Sequence, residues 1–200
     1  MFTGIDIAPY WRVLPEGAPD DPATRGPRMQ TLRQVPSDAF GLGTHPTTQL
    51  CLLAIGAFAA QGVRARTVLD FGAGTGVLAI AAALSLQPDH VEAVEIDQQA
   101  LRDAATNAEL NGVRVDFRET LSEPARPHDL VVANILSAIL LSYAEPLCAR
   151  VAATGKLVLS GLVATDVPQL SARCAPLLPK MRSQVFARDA WRALVFAPHS

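Results

Sequence analysis

The segment Asp70-Phe-Gly-Ala-Gly-Thr-Gly76 lies between an apolar run, Thr67–Phe71, and a helix-forming run over residues 77–87. Glycines at 72, 74 and 76 permit a tight turn and close approach of backbone to a ligand. The start of the helix adds N–H groups without intrahelical partners. The spacing is GxGxG, which departs from the dinucleotide fingerprint GxGxxG. Glu95 stands 25 positions after Asp70, near the end of the next predicted strand. A carboxylate there suits the two hydroxyls of a ribose. Asp97 competes for that role, but its place before a helix suits a cap. This combination fits S-adenosyl-L-methionine better than a pyrophosphate cofactor. Loop N–H groups would meet the methionine carboxylate. Asp70 would hold the ammonium or stabilise the glycine turn. After the third strand, Glu119 or Thr120 would reach the adenine edge and Leu121 would supply contact area.

These residues need a frame that brings strand ends together. The pattern predicts strands over 67–71, 91–96, 113–117, 129–133 and 157–161, and a terminal antiparallel pair over 182–187 and 191–197. Helices are expected over 49–60, 77–87, 97–110, 137–152 (bent near Pro146) and 166–178, with Thr47 or Thr48 capping the first. Strands alternating with helices imply βαβ units. The fold class is therefore α/β: a Rossmann-like, doubly wound, mostly parallel seven-stranded sheet with a terminal antiparallel pair. Residues 1–36 hold six prolines and are expected to form a non-globular arm or remnant, anchored by Tyr10 and Trp11. Residues 37–200 would be the functional domain.

Composition narrows the classes. Half of the 200 residues are hydrophobic, enough for a real core, and the formal net charge of −2 gives no general attraction to nucleic acid. Five basic residues over 173–192, against Asp189 alone, leave a local RNA-facing patch open, with a solvated face as the alternative. Three scattered cysteines form no disulfide framework. The four histidines lack metal-ligand spacing, so no metal is expected. Neither a secretory signal nor a membrane-spanning run is visible, which makes the expected location cytoplasmic. No phosphate loop of the GxxxxGK[ST] type and no GxSxG elbow occurs.

Three separated segments then converge: Phe40-Gly-Leu-Gly-Thr-His-Pro-Thr-Thr48, Leu69–Ile80 around the glycine loop, and Val132-Ala-Asn-Ile-Leu136. With Asn107–Val113 and Leu157–Gly161, they resemble the bacterial methyltransferases that modify protein eleven of the large ribosomal subunit. The resemblance covers about residues 37–197. It implies that Thr44 and His45 belong to a loop closing near the methyl donor. It also implies that Asp70, Gly72, Gly74, Gly76 and Glu95 hold S-adenosyl-L-methionine. Asn134, Ile135 and Leu136 would lie beside the methyl group and an acceptor amine. Leu42 stands where the family usually has Thr, and a short arm stands where the family has a substrate-recognition domain. The acceptor expected from the resemblance is a lysine or amino-terminal amine of a protein, such as a ribosomal one. The alternatives are an RNA or small-molecule acceptor, or an inactive cofactor- or partner-binding protein. The Ile-Leu pair after Asn134 offers no aromatic face for a flipped base.

Overall fold

A computed structural model describes residues 2–37 and 40–199. Three short strands come first: β1 (Ile5–Ile7), β2 (Trp11–Pro15) and β3 (Gln30–Gln34). The main pattern follows as α1 (Pro46–Ala60), β4 (Thr67–Phe71), α2 (Val77–Leu86), β5 (His90–Val94), α3 (Gln98–Leu110) and β6 (Asp116–Arg118). It continues through β7 (His128–Asn134), α4 (Ser137–Ser142), α5 (Ala144–Cys148), β8 (Val151–Val163), α6 (Val167–Cys174), β9 (Met181–Arg188) and β10 (Trp191–Pro198).

The main sheet has seven strands in the order β6-β5-β4-β7-β8-β10-β9. The five strands from β6 to β8 are parallel, and β10 runs antiparallel to both β8 and β9. The chain winds outward from β4 to β6, then returns to the other side of β4 as β7. That reversal opens a crevice beyond the carboxyl ends of β4 and β7, where ligands of such sheets bind. Helices cover both faces, so the central strands are largely apolar, with Asp70 in β4 and Glu92 in β5 as buried exceptions. Val68, Val132 and Val158 face one core with Cys51, Leu52 and Ile80. Leu69, Val131 and Leu157 face the other with Leu140, Leu147 and Leu170. This is the two-residue alternation of a pleated strand.

The first 36 residues correct the expectation of a non-globular arm. β2 pairs antiparallel with β1 and parallel with β3. Ile7, Trp11, Val13 and Leu32 are buried in the same core as α1 and α2. The indole Nε1 of Trp11 donates to the Leu52 carbonyl at 2.6 Å. Arg12 holds the surrounding turns through Asp6 and Thr24. The prolines do not prevent this, because each lies outside the strands or, like Pro15, at a strand end. The sheet is also clamped from outside. Asn111 accepts from the Arg33 N–H and donates to the Arg33 carbonyl, while Asn107 accepts from the Val35 N–H.

Other boundaries shift for local reasons. The cap of α1 is His45, whose side chain accepts from the Thr47 N–H, and Thr47 and Thr48 lie inside the helix. The single helix expected over 137–152 is two, separated at Tyr143. Pro146 has no N–H to give the carbonyl four residues earlier. Residues 151 and 152 instead open β8, which is 13 residues long. β6 starts three residues later than expected, because the Val113 N–H is still bonded to Ala108.

Trp11 joins the amino-terminal strands to α1, so Trp11→Ala should cost about 3–5 kcal/mol of stability. Denaturant unfolding checks this. A loss below about 1 kcal/mol would mean that the small sheet is not part of the folding unit.

Candidate methyl-transfer site

The crevice beyond β4 and β7 is a cavity of about 540 Å³. Its base is the glycine loop. Gly72 and Gly74 have φ values of 77° and 54°, in the region that favours glycine. A Cβ on Gly72 would collide with the Ile135 side chain, and one on Gly74 with the Phe40 carbonyl oxygen. Both positions therefore require glycine on spatial as well as conformational grounds. Gly76 precedes α2 at φ 77°, and its missing Cβ would face Ala104 rather than the cavity.

The loop's backbone donors are all engaged internally. Gly72 and Ala73 donate to the Val94 carbonyl, Thr75 to Phe40 and Gly76 to Ala73. The Gly74 N–H donates to Glu95 Oε2 at 2.9 Å. The expectation that loop N–H groups stand open for a carboxylate is thus corrected. What the loop presents is close backbone approach. Thr75 ties it to the preceding segment: its hydroxyl donates to the Gly41 carbonyl, and its own carbonyl accepts from Asn107.

Glu95 lines the cavity at the end of β5. Its Oε1 accepts from the N–H groups of Ile96 and Asp97 at 2.8 and 3.0 Å. Asp97 also reaches the cavity, yet its Oδ1 caps α3 through Gln99 and Ala100. Those backbone bonds hold its carboxyl below the ordinary range. Asp70 is fully buried and does not line the cavity. Its Oδ2 accepts from the Ala79 N–H at 2.9 Å, which fastens α2 to β4, and its Oδ1 has no partner. Burial pushes the carboxyl up to about 7; the Ala79 bond opposes this and the Glu95 charge adds to it.

The opposite wall comes from three distant parts of the chain. Asn134 ends β7 and is buried; its Nδ2 donates to Thr48 Oγ1 at 3.2 Å, and its Oδ1 has no partner. Ile135 and Leu136 follow it along the wall, with Leu136 71% exposed at the mouth. His45 lies between Phe40 and Trp191, with ring centroids 5.2 and 4.8 Å away. Its Nδ1 is 2.7 Å from Thr47 Oγ1. The Ser160 hydroxyl lies 3.3 Å from the Thr47 carbonyl oxygen in α1 and 3.2 Å from that of Arg192 in β10, and shares its one hydrogen between them.

Of the residues expected at the site, the structure gathers His45, Gly72, Gly74, Glu95, Asn134, Ile135 and Leu136 around one cavity. It leaves out five others, the first being Asp70, buried behind the glycine loop. Thr44 is exposed, and its carbonyl accepts from Gln49. Glu119 and Thr120 line a separate depression with Leu121 beside β6, where Glu119 accepts from Gln98. Gly76 supports α2. Sequence reasoning missed Trp191, Gly161 and Ile139, and gave Phe40 no role of its own. Phe40 stood inside a quoted motif, whereas Trp191 carries no local signal and reaches the cavity only through the pairing of β10 with β8. Among the described residues, no group of three or more His, Cys, Asp or Glu is placed to hold a metal ion. No described helix is long and apolar enough to cross a membrane.

Asp70 gives a signed pH test. Its folded-state pKa lies above the ordinary ~3.9, so its contribution to stability is complete below that value and is lost as pH rises through 7. Asp70→Asn keeps an acceptor for Ala79 without titrating. The stability of wild type relative to this variant should fall by about 3 kcal/mol between pH 5 and 8. Parallel unfolding free energies across that range would contradict the buried, raised carboxyl.

Comparisons with known proteins identify the chain's relatives. The family model described as ribosomal protein L11 methyltransferase (PrmA) matches residues 23–198. The ribosomal protein L11 methyltransferase of Dechloromonas aromatica is 40% identical over 188 residues, covering 94% of this chain and 58% of that protein. The one from Xanthomonas axonopodis pv. citri is 40% identical over 181 residues, covering 89% and 57%. The chain therefore spans less than two thirds of the length of these relatives. A crystal structure of ribosomal protein L11 methylase from Lactobacillus delbrueckii subsp. bulgaricus superposes with a TM-score of 0.84 at 28% identity, covering 100% of this chain and 99% of that one. A 16S rRNA N2 G1207 methyltransferase from T. thermophilus, at 24% identity and a TM-score of 0.63, shares the fold. With its glycine loop, Glu95 and the Asn-Ile-Leu wall around one cavity, the chain belongs to the ribosomal protein L11 methyltransferase family.

Proposed function

We propose that this chain transfers a methyl group from S-adenosyl-L-methionine to an amine, with a lysine or amino-terminal amine of a large-subunit ribosomal protein as acceptor. One observation carries the reading. A glycine cradle that any Cβ would fill, a ribose-type carboxylate and a buried orphan amide oxygen line a single cavity at the sheet's switch point.

The residues fit the methyl donor in kind. Gly72 and Gly74 leave room for it, and Glu95 is held in place for the ribose hydroxyls. Asp70, one layer behind, has a spare Oδ1 for the ammonium or a water bonded to it. Bound S-adenosyl-L-methionine supplies a methyl group already activated on a sulfonium, so the protein's task is to position the acceptor and limit water.

The acceptor side follows from Asn134. A lysine amine ordinarily has a pKa near ~10.4 and must lose a proton before its lone pair can attack. Asn134 Oδ1 is positioned to accept one N–H and so orient that lone pair, but an amide is no strong base. Proton loss is favoured instead by the surroundings. Ile135, Leu136, Ile139 and Trp191 present an apolar wall, and desolvation disfavours the ammonium form.

The test is transfer of labelled methyl groups from S-adenosyl-L-methionine to purified large-subunit ribosomal proteins, ribosomal RNA and a metabolite extract in parallel. Label on protein is expected. Asn134→Ala should lower turnover about ten- to a hundredfold. Label on RNA or small molecules alone would overturn the acceptor, and undiminished turnover in Asn134→Ala would remove that residue from the site.

A further inference from the structure

We propose that Phe40, His45 and Trp191 form an aromatic subsite that binds a methylated alkylammonium more tightly than the unmethylated amine. The inference deepens the amine reading of the same cavity and rests on it for the identity of the acceptor.

The three rings are adjoining walls of the cavity. His45 is inclined by 61° to Phe40 and by 65° to Trp191, so the rings form a folded surface rather than a flat stack. Thr47 fixes the central imidazole through Nδ1, and the Ser160 hydroxyl, shared between the Thr47 and Arg192 carbonyls, links the flanking backbones. Trp and Phe faces attract cations through their ring quadrupoles, most strongly where water is excluded.

Among the described residues, the acidic ones lining the cavity are Glu95 and Asp97. Both carboxylates accept from backbone N–H groups, Glu95 from Gly74, Ile96 and Asp97, and Asp97 from Gln99 and Ala100 at the start of α3. Among the described residues lining the cavity, Asn134 is the one whose buried side-chain oxygen has no partner. A primary ammonium is a compact, strongly hydrated charge with three donors. Here it would leave donors unpaired, at the cost that burial of unpaired polar groups carries. Each methyl that replaces an N–H removes one such donor, keeps the charge and adds apolar surface to lie on the rings.

The probes are Nα-acetyl-lysine methylamide and its Nε-trimethyl form, titrated into the full chain with and without S-adenosylhomocysteine. Binding is read by calorimetry and by tryptophan fluorescence. The chain holds two tryptophans, and Trp11 is buried and does not line this cavity, so a ligand-dependent change reports on Trp191. The trimethyl form should bind about tenfold more tightly, within the range for a desolvated cation on aromatic faces. Trp191→Leu should bring the ratio close to one, whereas Trp191→Phe should keep most of it. Phe40→Leu, at a residue 51% exposed, should lower it partway without touching the core.

Equal affinity for the two probes in wild type would overturn the subsite, as would an unchanged ratio in both Trp191→Leu and Phe40→Leu. Failure of S-adenosylhomocysteine to bind while the tenfold ratio persists would support the subsite and overturn the methyl-donor reading instead.

Discussion

Two contacts on the glycine loop set the geometry of everything around it. Ile135 packs onto Gly72 and the Phe40 carbonyl onto Gly74, each so close that a single added carbon would collide. The first contact fixes how the end of β7 meets the end of β4. The second brings in the segment that leads to His45 and α1. Thr75 and Asn107 extend the same lock outward, one to Gly41 and the other to Val35. The cavity is thus the space left where three distant stretches of chain are held against one loop.

That lock gives the amino-terminal strands a functional meaning. They do not line the cavity, but Asn107 and Asn111 clamp Arg33 and Val35, and the Gln34 side-chain amide donates to the Gly41 carbonyl at 3.2 Å. Stability of the small sheet and order at the aromatic wall are therefore coupled. The conflict between burial and charge at Asp70 follows the same logic. A carboxylate that fastens α2 to β4 keeps one oxygen unpaired directly behind the loop, a costly arrangement unless a cationic group approaches.

The sheet was legible because its signal is local. Apolar runs such as Val131–Ala133 and glycine turns between strand and helix reveal buried parallel strands without any knowledge of their neighbours. Asp97 as a cap and Glu95 at a strand end were legible for the same reason. The amino-terminal strands were not, since proline content reports where hydrogen bonds are forbidden and not where short strands fit between the prolines. Thr44, Glu119 and Thr120 were placed by proximity in sequence to strand ends, and the side-chain directions there lead elsewhere. The terminal pair of β9 and β10 was legible, but Trp191 was not, because its role depends on β10 pairing with β8, which no local spacing encodes. The engagement of every loop N–H was hidden too, because the acceptors at Val94, Glu95 and Phe40 come from other segments.

The central claim is that this cavity accepts an adenosyl group bearing a methionine tail. Calorimetric titration of S-adenosylhomocysteine into the folded chain, beside Gly74→Ala, tests it most directly. The expected result is saturable one-to-one binding that is lost in Gly74→Ala, where the new methyl meets the Phe40 carbonyl. Absence of binding to the folded wild-type chain, or equal affinity in a folded Gly74→Ala variant, would contradict it.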